Sequence, residues 1–306
     1  MAESIQRIIS ELEKLDVSVE KRGNGYEVSF VRDPRAVQWL AKIPRILSID
    51  AGGTIDSPQM LTADDWKGLG DQTALREIRI GNAGRFFGRD HAVFQHFTGL
   101  REFHHPGIRE QGDEAVAEIS RFERLEVLGI EQSKVSAAGM THLRQLTRLK
   151  DLRISEIVVT GDLCKILPDC PLQDLTADGC RLNDADVQFL SRFSRLAGVS
   201  ATDCLITDTG LREFGKMAML RKLFLCGNSL SPTGLGEFIM RTSVESLWLS
   251  PDHVSGATVT ALEHSAVKEL VVSGSGCVPS ELKRRLAHRF KGDSLGFFDE
   301  PDAPGE

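Results

Sequence analysis

Asp50, Gly52, Gly53 and Thr54 fall within the phrase Ser48-Ile-Asp-Ala-Gly-Gly-Thr-Ile-Asp56, which sets a carboxylate and a hydroxyl around two unhindered backbone positions. Glycines at such a turn let main-chain N–H groups face a phosphate, so the chemistry in view is phosphate binding with the Asp50 carboxylate and the Thr54 hydroxyl beside it. His91, His96, His104 and His105 concentrate imidazoles over a short stretch, the raw material of a metal site. Gly81 to Asp90, G-N-A-G-R-F-F-G-R-D, combines three glycines, two arginines and two phenylalanines. That is the composition of an exposed binding loop, and equally of a structural irregularity in which Phe86 or Phe87 plugs the core.

The elements that must position these residues are set by a recurring phrase, clearest as L-A-G-V-S-A-T-D-C-L-I-T-D-T-G-L from Leu196 to Leu211. Its first position recurs at Leu75, Leu100, Leu125, Leu149, Leu172, Leu196, Leu220, Val244 and Val267, with steps of 25, 25, 24, 23, 24, 24, 24 and 23. The fourth and sixth places are aliphatic in most units, as in Leu128 with Ile130 or Leu223 with Leu225, and this period of two predicts a short strand with one buried face. At the ninth place stand Ser133, Cys180, Cys204, Asn228, Asp252 and Ser275, whose side chains suit the free backbone groups of a bend. Ser136, Asn183, Thr207, Ser231 and Ser255 then stand where a helix cap is needed. Apolar pairs three apart, such as Leu211 with Phe214, give the helix one buried face.

This pattern resembles the cysteine-containing subtype of the leucine-rich repeat family, L-x-x-L-x-L-x-x-C/N-x-x-[ITV]-[ST]-D-x-G-L; the units at 196 and 220 match best, those at 149 and 267 loosely. The resemblance implies an α/β fold, a right-handed solenoid or horseshoe with a parallel sheet on its concave face and helices on its convex face, used chiefly to bind proteins. Residues 46–278 are expected to form the repeats, with Ile46, Ile49, Ala51, Trp66 and Leu69 in a first, irregular unit. Residues 1–45 read as a cap: an amphipathic helix over 3–15, a hairpin around Lys21-Arg-Gly-Asn-Gly25, and a helix from Pro34 to Ile43. Residues 279–291 read as a C-terminal capping helix and 292–306 as an acidic mobile tail.

In this register the third and fifth places of every strand point away from the core. The fifth-place column runs Arg79, His104, Gly129, Arg153, Thr176, Ser200, Phe224, Trp248, Val271; the third-place column runs Glu77, Glu102, Val127, Asp151, Asp174, Gly198, Lys222, Ser246, Glu269. Phe224, Trp248 and Val271 are expected to form one apolar strip bordered by Arg221 and Lys222, with small residues up to Ser200 beside it, a composition suited to an interface hot spot. The alternative is that Phe297 and Phe298 in the tail fold back over that strip. The early columns, with Arg79, His104 and Arg153 among carboxylates, either steer a mixed-charge partner or satisfy one another internally.

The register also bears on the catalytic and metal readings. Asp-x-Gly-Gly-Thr looks like the phosphate-binding turn of sugar-kinase and actin-like ATPases, and Gly-Gly-Thr-Ile like part of asparaginase-type hydrolases. Those folds need further motifs, whereas here the chain enters its repeats by Leu75. The histidines diverge, His104 outward and His105 inward, so neither a metal nor any cofactor is expected. With a net charge of −7 and a pI near 5.7 the chain lacks the basic footprint of a nucleic-acid binder. No run of residues is apolar enough to span a bilayer or to form a signal peptide, and the six cysteines, without C-x-x-C pairs, read as buried thiols, so a soluble, cytoplasmic protein is expected. The function expected is protein binding on the concave face, the chain not being an enzyme. An inhibitor that neutralises an enzyme is the alternative, and a hydrolase or ATPase using Asp50 to Asp56 the third reading.

Overall fold

The computed structural model describes residues 2–52, 61–70, 72–81, 88–159 and 161–298. It divides into two compact units, Met1–Ile157 with Lys165–Cys170, and Val158–Cys164 with Pro171–Glu306. Gly53 to Asp56 and residues 82–87, with Phe86 and Phe87, lie outside the described residues.

The first unit opens with a helix, Ala2–Glu13, and an antiparallel hairpin, β1 (Ser18–Arg22) and β2 (Gly25–Ser29). Arg22 pairs with Gly25, so Gly23 and Asn24 form the turn, and Gly23 takes the positive φ of 56° that glycine adopts without strain. Five strands follow in parallel: β3 (Ile46–Ala51), β4 (Glu77–Ile80), β5 (Glu102–His104), β6 (Val127–Gly129) and β7 (Asp151–Arg153). Between them run helical returns, among them Ala63–Gly68, Gly112–Ile119 and Ala137–Met140. The expected helix from Pro34 to Ile43 is a 3₁₀ turn, Pro34–Ala36, followed by one α-turn, Val37–Leu40.

The second unit repeats the theme with β8 (Asp174–Thr176), β9 (Gly198–Ser200), β10 (Lys222–Phe224), β11 (Ser246–Leu249), β12 (Glu269–Ser273) and β13 (Leu295–Phe298), all parallel and in sequence order. Helices Asp184–Leu190, Asp208–Phe214, Pro232–Ile239, Gly256–Glu263 and Ser280–Arg289 alternate with the strands. Among the described residues no helix is long and apolar enough to cross a membrane.

The first, fourth and sixth places of all nine units are at most 2% exposed, so the core is the column the spacing predicts. One member is polar, His105, which holds a sixth place. The predicted caps also form: Ser136, Asn183, Thr207, Ser231 and Ser255 each accept a hydrogen bond from a backbone N–H in the first turn of their helices. Four expectations need correction. Asp252 and Ser275 are exposed, and His253, one residue on, turns inward to reach the Asn228 carbonyl at 2.9 Å. Only Cys180, Cys204 and Cys226 are buried; Cys164 and Cys277 are exposed and Cys170 is partly so. Val271 is 6% exposed, because β13 pairs alongside it. The tail reading fails for Leu295–Phe298, where four apolar or small residues add a strand despite their acidic surroundings.

The T-D-x-G-L phrase acquires a mechanism. Asp184, in the first turn of one helix, accepts hydrogen bonds from the next unit's cap, Thr207 N–H at 2.9 Å and Thr207 Oγ1 at 2.6 Å, and from Gly210 N–H at 3.0 Å. Asp208 receives Ser231 N–H at 2.8 Å, and Asp113 receives Ser136 N–H at 2.7 Å. The glycine is required by this carboxylate, since a Cβ on Gly210 would lie 2.6 Å from Asp184 Oδ1 and 2.7 Å from Ile206 Cγ2. Alanine in a helix interior normally gains about 1 kcal/mol over glycine. Gly210→Ala is expected instead to lose about 1–3 kcal/mol through overpacking, whereas Gly236→Ala, with nothing within 4 Å of its new Cβ, is expected to keep the gain. Urea denaturation of both variants checks this; a stabilised Gly210→Ala would overturn the assignment.

Candidate functional site

The outward sheet face of the second unit is built by the odd places of β9 to β12. Register places Ser200, Phe224, Trp248 and Val271 in one row, and Gly198, Lys222, Ser246 and Glu269 in the row beside it. Phe224 and Trp248 stack with ring centroids 4.5 Å apart and planes 30° from parallel, and both are half-buried. Such a pair stabilises by about 0.5–1.5 kcal/mol beyond its buried area. The row ends in Gly296 of β13, which pairs with Val271. Leu295–Phe298 therefore extends the sheet and does not drape over the aromatic pair; Phe297 lies beneath Lys283 Nζ, 5.1 Å from its ring centre, and Phe298 is exposed.

On the other side of the aromatic pair the surface is small and polar. Ser200 Oγ donates to Asp178 Oδ1 at 2.6 Å, and Thr202 N–H donates to the same oxygen at 2.8 Å. Gly198 carries no side chain, and a Cβ there would lie 2.3 Å from Asp174 Oδ1, so the third-place aspartate occupies the space. The cationic border divides in two. Arg221 donates to the Ala218 and Leu220 carbonyls at 2.8 and 3.0 Å and stands 3.9 Å from Glu245, itself held by Lys268 at 2.8 Å. Lys222 is exposed.

The first unit carries Arg79, His104 and Arg153 on β4, β5 and β7. Arg79 pairs with Glu77, and Arg153 with Asp151 at 2.8 Å, each two places along its own strand. Glu126 is shared by Arg101 and by Lys150, the latter at 2.6 Å, and the Lys150 hydrogen bond leads in holding its carboxyl below the usual range. Mutual satisfaction thus accounts for these charges, each exposed pair contributing little to stability. His104 is held below the ordinary imidazole value by burial first, then by Arg79 and Arg153. Burial, then the like charge of Glu77, pushes the Glu102 carboxyl up, and burial does the same for Glu131.

The histidines do not all diverge. His105 turns inward as expected, but His91, brought in by the 3₁₀ segment Gly88–His96, meets it with Nε2 2.9 Å from His105 Nδ1. His96 is exposed. His104, on the opposite face, joins Glu77 and Glu102, with one donor atom from each lying within 4.8 Å of the others. Reading the columns singly missed this group; pairing the third place of one strand with the fifth place of the next would have revealed it. Around the Gly-Gly-Thr phrase, Ile46, Ile49 and Ala51 point inward, and Asp50 Oδ1 accepts the Gly52 N–H at 2.7 Å, closing its own turn. No family model matches this chain, and no curated protein matches it.

Proposed function

We propose that the chain is a leucine-rich repeat solenoid that binds a protein partner through the outward face of its sheet, with Phe224 and Trp248 as the anchor. The observation that carries the proposal is the stacked, half-exposed aromatic pair in the centre of a row that runs from Ser200 to Val271. Tryptophan and other large aromatics supply most of the energy at protein interfaces when a partner completes their desolvation. Ser200 beside the pair keeps the neighbouring surface low and polar, and Lys222 offers a cation to its rim. The regular core and caps favour a rigid base for that face, one whose side chains need little ordering on binding.

The test is affinity capture with wild type and with a Phe224→Ala/Trp248→Ala double variant, alongside the thermal stability of each. A partner bound by wild type is expected to lose about 30-fold or more in affinity in the variant, corresponding to roughly 2 kcal/mol for a hot spot, while the variant stays folded. Unchanged capture, or loss of stability with no partner lost, would refute the proposed anchor.

A further inference from the structure

Glu77, Glu102 and His104 form the one group of three or more potential metal ligands among the described residues. Their convergence follows from the sheet. Glu102 and His104 are two apart on β5 and so project from the same face, and the parallel register sets Glu77 of β4 beside Glu102 and Arg79 beside His104. Neighbouring strands lie about 4.8 Å apart, which brings the Glu77 carboxylate within reach of the other two. One oxygen from each carboxylate and one imidazole nitrogen lie within 4.8 Å of one another, and all three residues are partly buried. The next strand leaves room for the ring: a Cβ on Gly129 would stand 2.7 Å from His104 Nδ1.

The donor types define the ligand. Two carboxylate oxygens with one imidazole nitrogen suit a first-row divalent cation such as Zn²⁺ or Mn²⁺, whereas Ca²⁺ and Mg²⁺ prefer oxygen alone. Zn–O and Zn–N bonds of about 2.0–2.1 Å put tetrahedral ligand atoms about 3.4 Å apart, so the three donors need to close by little more than 1 Å, within the reach of Glu side-chain torsions. Three protein ligands leave a fourth position open. The competing cation is Arg79, paired with Glu77 and half exposed, which can swing to solvent as a metal ion enters.

We propose that Glu77, Glu102 and His104 bind one first-row divalent cation on the outward face of β4 and β5, displacing Arg79 from Glu77. This proposal is independent of the partner-binding reading, since it concerns other strands and needs no partner. Isothermal titration of the purified full chain with ZnCl₂ tests it. Wild type is expected to take up one ion at this site, His104→Ala to lose at least about tenfold in affinity for it, and Arg79→Gln to bind more tightly, because its competing charge is gone. Glu102→Gln removes a ligand charge with little change in shape, and is expected to show the same loss of affinity should His104→Ala fail to fold. No uptake by wild type, or uptake unchanged in the folded ligand variants, overturns the proposal.

Discussion

Asn228→Ala is expected to lower the unfolding free energy by about 3–5 kcal/mol, read as a shift in the urea midpoint at unchanged slope. The side chain is buried and every polar atom is used. Its Oδ1 accepts the Ile206 N–H at 3.0 Å, and its Nδ2 donates to the carbonyls of Ala201, Leu225 and Cys226 at 2.7, 3.1 and 3.2 Å. Alanine would take the partner from the Ile206 N–H and from the Ala201 and Leu225 carbonyls at the bend, while the Cys226 carbonyl keeps the Asp203 N–H at 2.8 Å; each buried group left unsatisfied costs about 1–3 kcal/mol before relaxation. Cys204, at the same place one unit earlier, makes one weak bond, Sγ to the Ala177 carbonyl at 3.4 Å. Cys204→Ala is therefore expected to cost only about 1 kcal/mol. Equal losses in the two variants would show that packing, and not the satisfaction of the bend, decides this position.

The second large effect is a loss of stability in acid carried by His91. Both His91 and His105 are buried. The Gly88 carbonyl can only accept, so His91 carries its proton on Nδ1, and its Nε2 accepts from His105 Nδ1–H at 2.9 Å. A further proton on His91 would set two donors against each other inside the core. Burial above all lowers His91 to about 4, with the Gly88 hydrogen bond and Asp90 acting in the opposite direction. Burial, then the neighbouring His91, puts His105 well below its ordinary value. Because the folded values lie below the unfolded value of about 6.5, the unfolded chain takes up protons first as pH falls. The contribution of His91 is present above pH 6.5 and drains away between 6.5 and about 4, amounting to a loss of about 2 kcal/mol by pH 5, and His105 adds to the decline in the same direction. Urea titrations at pH 7.5, 6 and 5 should show this decline, and His91→Gln, which bonds without titrating, should make it shallower. A flat profile between pH 7.5 and 5 would contradict the buried neutral pair.

Positions governed by period were legible in the chain itself. Leu196, Val199 and Ala201 point inward and Gly198 and Ser200 outward because a strand alternates, and Thr207 caps its helix because a hydroxyl at a bend has few other uses. What escaped depended on neighbours in space. His91 and His105 meet because a 3₁₀ segment, and not a regular helix, returns the chain to β5. His253 replaces Asp252 at the bend because the turn Pro251–His253 tightens the path by one residue. Val271 is covered by a strand that composition alone assigns to a charged tail. Of the candidate site, the aromatic row followed from register, whereas the Glu77, Glu102 and His104 group needed two strands considered together.

The bond from each aspartate to the following cap also sets the length by which such a chain can grow or shrink. Asp184 holds Thr207 and Gly210, and Asp208 holds Ser231, with Gly234 set against the same carboxylate. Excising residues 208–231 would carry away one complete set and join Thr207 to Pro232, bringing Gly234 to the position that Gly210 held against Asp184. A 24-residue cut in another phase, such as 200–223, removes Thr207 with Asp208 and brings Ser231 opposite Asp184 instead. What the contact demands is therefore the length of the segment and not its starting point, because its two halves are interchangeable between units.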